Sequence, residues 1–308
     1  MPHSIRLGGP ALRTRGGAGG VDERRGAMNQ AQQAFVELAR HPDEGIDLAA
    51  GALAVSGLFQ RELAQGDALA ELDALASEVR GRIPDDADLF DRVRALNAVL
   101  FEELGFAGNQ EDFYDPRNSF LDQVLARRLG IPITLAVVYI EVAARIGLPA
   151  FGVGFPAHFL VRIGRGDTAL MLDVYAGGVA LPESELDQRL ADLYGAGTLS
   201  IRSHPALLRP ATKREILVRM LRNLIGIYRD RNEPINRLEA LTAALTLAPD
   251  LPDELRERGL LYRDLEYVPA ALGDLRRFVE VSDDAEQIAA VSKLIDELGG
   301  QDGGVRLH

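Results

Sequence analysis

A chain of 308 residues is long enough for two domains, and its 47% hydrophobic and 26% charged content is that of a globular protein. A formal charge of −12 argues against a general nucleic-acid or anionic-membrane binder. The absence of cysteine removes disulfides, thiolate metal ligands, iron–sulfur clusters and any thiol nucleophile together, and it fits a reducing cytoplasm.

Residues 1–27 are rich in Gly and Arg and show no periodicity, so a disordered extension is expected there; they contain no apolar core of a signal peptide. From Met28 to Leu104 the spacing is helical. Phe35, Leu38 and Ala39 mark one face, apolar residues three and four apart follow over Leu48–Leu63, and a stripe of Leu69, Leu72, Leu75, Ala76 and Val79 stands behind Asp67 as cap. The Ile83-Pro84 turn breaks this pattern, and Asp88 or Asp91 opens a further helix with Val93, Leu96, Val99, Leu100 and Leu104 inward. This segment is expected to be a helical packing layer.

A polar, aromatic loop leads to Asp115-Pro116. Asn118 or Ser119 is expected to cap the next helix, which carries Phe120, Leu121, Val124, Leu125 and Leu129 and ends at Gly130. Pro132 opens another helix in the first turn, where its missing N–H costs nothing. That helix, Ile133 to Ile146, is apolar on nearly every side and belongs in the core, with Glu141 paired to Arg145 one turn on. It is too short, and too charged, to cross a membrane, which takes about 18 apolar residues. Short strands are expected at Phe151–Val153, Phe159–Ile163 and Leu170–Val174, with a hairpin turn over Gly164–Asp167. His158 and Asp173 then fall on neighbouring antiparallel strands. Ser184 begins an amphipathic helix that runs to Tyr194.

Beyond Pro210 the pattern is helix alone. The basic pair Lys213-Arg214 reads as a solvated helix face. An offset of 34 residues aligns Tyr228 with Tyr262, Leu238 with Leu272, Leu241 with Leu275 and Leu245 with Val279, the period of tetratricopeptide repeats. Only about two repeats fit, too few to bury a superhelix alone, so they are expected to dock on the first domain. The Gly-rich tail, 299–308, is expected to be flexible.

An apolar helix, then His on one strand and Asp on the next, is how sites of the papain and transglutaminase type are laid out. The runs Asn118-Ser119-Phe120-Leu121, Gly130-Ile131-Pro132-Ile133-Thr134-Leu135, Gly154 to Phe159, and Asp173 with Gly177-Gly178 resemble the SirB family of bacterial proteins. The resemblance implies an α+β fold: a transglutaminase-like (papain-like) core of helices and a small antiparallel sheet over residues 28–208, then an all-α tetratricopeptide-like module over 209–298. It also implies where a triad would stand. His158 matches the catalytic histidine and Asp173 the aspartate that orients it. The Gly147-Leu148-Pro149-Ala150 run matches the end of the nucleophile helix, and fifteen positions back stands Pro132; a slip in register reaches Ile133 or Thr134.

Two expectations follow. The first is a non-catalytic, regulatory protein of the cytoplasm that binds a protein or peptide, with Asn118, Ser119, Pro132 and Ile133 lining a pocket at the helix start beside His158 and Asp173. The second is a hydrolase or acyltransferase in which Thr134 or an activated water attacks, His158 is the base and Asp173 the orienter. Each candidate also has a plain structural role: Thr134 bonding backbone in the first helical turn, Asn118 or Ser119 capping, and His158 held by Asp173. Five scattered histidines, at positions 3, 41, 158, 204 and 308, have no ligand spacing, so neither metal nor cofactor is expected.

Overall fold

The computed structural model describes residues 30–60, 65–166 and 169–302. The expected extension 1–27 lies outside these residues, as do Asp167 of the hairpin turn and the tail beyond Asp302. The first layer is helical: α1 (Gln30–Arg40), α2 (Leu48–Phe59), α3 (Gln65–Arg80) and α4 (Leu89–Asn97), the last extended by a π-helical turn over Ala98–Glu103. Asp88 caps α4 and Asp91 closes the capping box, so both candidate residues take part. A parallel pair of two-residue strands follows, β1 (Ala107–Gly108) and β2 (Leu129–Gly130), which brackets α5 (Leu121–Arg127).

The helix α6 (Pro132–Arg145) runs through the centre, with Ile133 to Ile140, Val142 and Ala143 all buried. Its apolar character on every side is what a helix enclosed by neighbours needs. Glu141 pairs with Arg145 as expected, and Arg145 also reaches Asp73 on α3. An antiparallel sheet follows in the order β3 (Ala150–Val153), β4 (Leu160–Ile163), β5 (Leu170–Asp173) and β6 (Val179–Ala180). Strand alternation gives the sheet two apolar faces. Val161, Ile163 and Leu172 join the α6 core, while Val153 and Leu160 join Leu186 and Leu190 of α7 (Glu183–Tyr194). Asp173 alternates with Leu172 and therefore faces α7.

The remaining helices are α8 (Lys213–Asp230), α9 (Pro234–Leu247), α10 (Pro252–Asp264), α11 (Val268–Val281) and α12 (Ala285–Asp302). They pack as two helix pairs, α8 with α9 and α10 with α11, with α12 against the second. The 34-residue offset corresponds to this repeat: Leu241 and Leu275 occupy equivalent positions on α9 and α11 and are both fully buried. The repeats dock on the first layer, as their small number demands. Leu217 of α8 approaches α2 so closely that a Cβ on Gly51 would lie 2.7 Å from its Cδ1, and one apolar core runs from Phe35 through α6 to α8 and α9.

Several local expectations are corrected. Lys213 and Arg214 are not a solvated face: Arg214 donates to Leu247 O (2.6 Å), Ala39 O (3.2 Å) and His41 O (2.7 Å), and Lys213 to Ile46 O. Arg214 thus caps the carbonyl ends of α1 and α9 at once. Helix α5 ends on Arg128 in the left-handed conformation (φ 60°), ahead of Gly130. Helix α12 continues through Gly299 to Asp302.

Candidate functional site

His158 lies two residues before β4, in a turn closed by its own N–H to Phe155 O (3.1 Å). Pro156 and Ala157 occupy the turn's centre, and Ala157 takes a positive φ of 55°, a conformation that glycine adopts more readily. Asp173 ends β5. Its Oδ1 meets His158 Nε2 at 2.8 Å, its Oδ2 accepts from Arg189 Nη1 of α7 at 2.9 Å, and Ala176 N donates to Oδ1 at 3.2 Å. The sheet and α7 therefore bring together the His–Asp pair that the sequence suggests, and they add Arg189, which the amphipathic pattern of α7 does not single out.

Asp173 is 3% exposed. Burial alone would raise its pKa, but the hydrogen bond and charge of His158, with the guanidinium of Arg189, outweigh it and hold the carboxyl below the ordinary carboxylate range. An ionised Asp173 accepts from Nε2–H, which leaves Nδ1 of a neutral imidazole as the ring's lone-pair nitrogen. The His158 side chain is 20% exposed, and the Tyr175 ring stands edge-on to it at 6.1 Å between centroids. Tyr175 in turn covers Gly108, where a Cβ would lie 2.2 Å from its Cε2. Only a residue without a side chain admits the ring there. Burial, then the charge of Asp173, raises the Tyr175 pKa.

The other candidates serve the helix start. Thr134 is fully buried, and its hydroxyl donates to Asn118 O (2.7 Å) while accepting from Ile131 N (3.1 Å). It bonds backbone on both sides, and among the described residues no hydroxyl hydrogen-bonds His158. Pro132 stands at the first position of α6, and Ile133 points into the core at 2% exposure. Asn118 and Ser119 do not cap α5. They belong to a 3-10 turn, Pro116–Ser119, whose cap is Asp115, and the first N–H of α5, on Leu121, is taken by Ser56 Oγ of α2 at 3.1 Å. A cap contributed by another helix leaves no signal in the local sequence.

Asn118 instead locks the preceding loop. Its amide donates to Asp112 O and Phe113 O, and its Oδ1 accepts from Asn109 and Arg127. Ser119 Oγ is buried without a hydrogen-bond partner. At the helix start Pro132 is half-buried, while Ile131, itself buried, forms part of a cavity wall. With Phe113, Tyr114 and part of α8 it lines a cavity of about 210 Å³. A larger hollow of about 820 Å³, between the outer sheet face, α7 and the 205–208 turn, is lined by neither His158 nor Asp173. Among the described residues no group of three His, Cys, Asp or Glu side chains is placed to share a metal ion, and no helix is long and apolar enough to cross a membrane.

Comparison with known proteins agrees with this architecture. Residues 66–222 match the family described as transglutaminase-like superfamily, and residues 224–296 match the tetratricopeptide repeat. The chain belongs to the transglutaminase-like superfamily. Its relatives include UPF0162 (SirB-like) proteins. That of Xylella fastidiosa strain Temecula1 is 43% identical over 190 residues, 62% of this chain and 68% of the relative. That of Pseudomonas aeruginosa is 32% identical over 231 residues, 75% of this chain and 83% of the relative. The likeness extends beyond bacteria: the human F-box only protein 21 is 30% identical over 189 residues, 57% of this chain but 28% of that longer protein.

Proposed function

We propose that this chain is a protein- or peptide-binding module in which a transglutaminase-like core has lost thiol chemistry and keeps its His–Asp pair as part of a binding cleft. The observation that carries this reading is the missing nucleophile. The sequence holds no cysteine, the helix start is Pro132, and the hydroxyl of Thr134 in its first turn is engaged by Asn118 O and Ile131 N. A proton acceptor with nothing to deprotonate does no acyl transfer. The fused tetratricopeptide repeats support binding as the remaining use, since helical arrays of this kind offer extended concave surfaces.

The second reading, hydrolysis by an activated water, draws on the 2.8 Å His158–Asp173 contact and the part exposure of the imidazole. A hydrolysis assay separates the two. Casein incubated with the full chain is expected to release neither ammonia nor new peptide termini above a His158→Ala control. Turnover in the wild type that disappears in His158→Ala would overturn the binding-only reading.

A further inference from the structure

Helix α8 turns one face, carrying Arg219, Arg222, Gly226 and Arg229, away from the shared core, and residues three, four and seven apart on a helix lie side by side. Part of this face closes the cavity of about 210 Å³ against Phe113, Tyr114 and Ile131. Its floor is Gly226, where a Cβ would meet nothing nearer than Arg229 Nη2 at 3.9 Å. A mid-helix glycine is unfavourable in itself, and here it leaves the space above the helix open. The volume is below the roughly 300 Å³ of pockets that enclose a free small molecule, and it suits a single bulky side chain.

The opposite wall is held in place before anything binds. Asn118 Nδ2 donates to the carbonyls of Asp112 and Phe113, and Arg231 donates to Tyr114 O at 3.2 Å. Phe113 and Tyr114 nevertheless stand 40% and 64% exposed. Exposed aromatic rings on a braced loop are the residue type that dominates protein interfaces, and bracing lowers the ordering cost of binding.

Charge then narrows the occupant. Arg222 is paired with buried Glu254, and Arg229 with Glu257 and with Asp230, the one carboxylate on the cavity's rim. Arg219, one turn before Arg222 and just outside the cavity's lining, has no carboxylate partner among the described residues. Its guanidinium donates to the carbonyls of His158 (2.6 Å) and Phe155 (3.4 Å) and lies 5.3 Å from the Phe159 ring centre. Its Nη1 sits over exposed Gly154, 3.3 Å from where a Cβ would stand. Burial, with the neighbouring charge of Arg222, pushes its pKa below an arginine's ordinary value. A half-buried cation in this position is short of negative charge.

We propose that the groove between the Phe113–Tyr114 loop and α8 binds an acidic peptide segment of a protein partner, with a bulky apolar side chain seated over Gly226 and a neighbouring carboxylate on Arg219. This rests on the reading of the chain as a peptide-binding protein and names the class of peptide and its site.

The test is selection of a phage-displayed random heptapeptide library on the full chain, followed by fluorescence anisotropy with synthetic copies of the enriched sequences. Enriched peptides are expected to carry a large apolar residue close to Asp or Glu. Gly226→Leu, a substitution that favours the helix and fills the cavity, is expected to weaken them by about tenfold or more. Replacing the peptide's Asp or Glu by Asn or Gln is expected to weaken binding to the wild type about tenfold, and to change nothing in Arg219→Gln. Peptides that bind equally well to Gly226→Leu and without their carboxylate overturn this site while leaving peptide binding standing. Self-association abolished by Gly226→Leu overturns it in favour of a second copy of the chain. No enrichment of any sequence overturns both the site and the reading beneath it.

Discussion

Removing the Asp173 carboxylate tests the candidate site at its anchor. The residue is 3% exposed, and its carboxylate accepts three hydrogen bonds, from His158 at 2.8 Å, Arg189 at 2.9 Å and Ala176 N at 3.2 Å. A hydrogen bond with a charged partner contributes about 1.5–3 kcal/mol and a neutral one about 1. Arg189 and His158, at 30% and 20% side-chain exposure, regain water when the acceptor goes, which places the net loss toward the low end. Asp173→Ala is therefore expected to cost about 2–4 kcal/mol, and the isosteric Asp173→Asn about 1–2. Urea unfolding with an unchanged slope measures this directly. The pH dependence has a definite sign. The carboxyl's pKa is depressed in the folded protein, so its stabilisation is present above the unfolded value of about 3.9 and is lost as pH falls through the folded value. The gap between wild type and Asp173→Asn is thus expected to close below about pH 4. A loss under about 0.5 kcal/mol for Asp173→Ala at pH 7 would mean that the pair behaves like a surface contact, and the argument for an assembled His–Asp site would fail.

Further outcomes test the supports around that site. Asn118→Ala removes a fully buried side chain with contacts to Asp112, Phe113, Asn109 and Arg127; it is expected to destabilise by about 2–4 kcal/mol and to speed amide exchange across residues 109–117. Ser119→Ala deletes a buried hydroxyl without a partner, so urea unfolding should show it neutral or stabilising by up to about 1 kcal/mol. Arg214→Met strips the donor from the ends of α1 and α9; a loss of about 1–3 kcal/mol is expected, with faster exchange confined to those helix ends.

What was legible in the sequence was periodic or local. The apolar run from Ile133, the alternation on either side of the hairpin, and the 34-residue offset between Leu241 and Leu275 each follow from one element's own pattern, and each stands in the structure. His158 and Asp173 were legible because two short strands joined by a turn place them together. What escaped depends on residues distant in sequence. Ser56 of α2 supplies the cap expected of Asn118 or Ser119, and Arg214 directs its donors to two helix ends instead of solvent. Arg189 and Arg219 reach the site from helices whose amphipathic pattern says only which side is buried, and the space over Gly226 exists only once α8 meets the aromatic loop.

The central claim is that the cleft binds and does not convert. One measurement addresses it: an enriched peptide is incubated overnight with the full chain, binding is followed by anisotropy, and the peptide is recovered for mass spectrometry. Saturable binding with the peptide recovered at its original mass, in wild type and His158→Ala alike, is the predicted result. A peptide hydrolysed or cross-linked by the wild type and left intact by His158→Ala would contradict it.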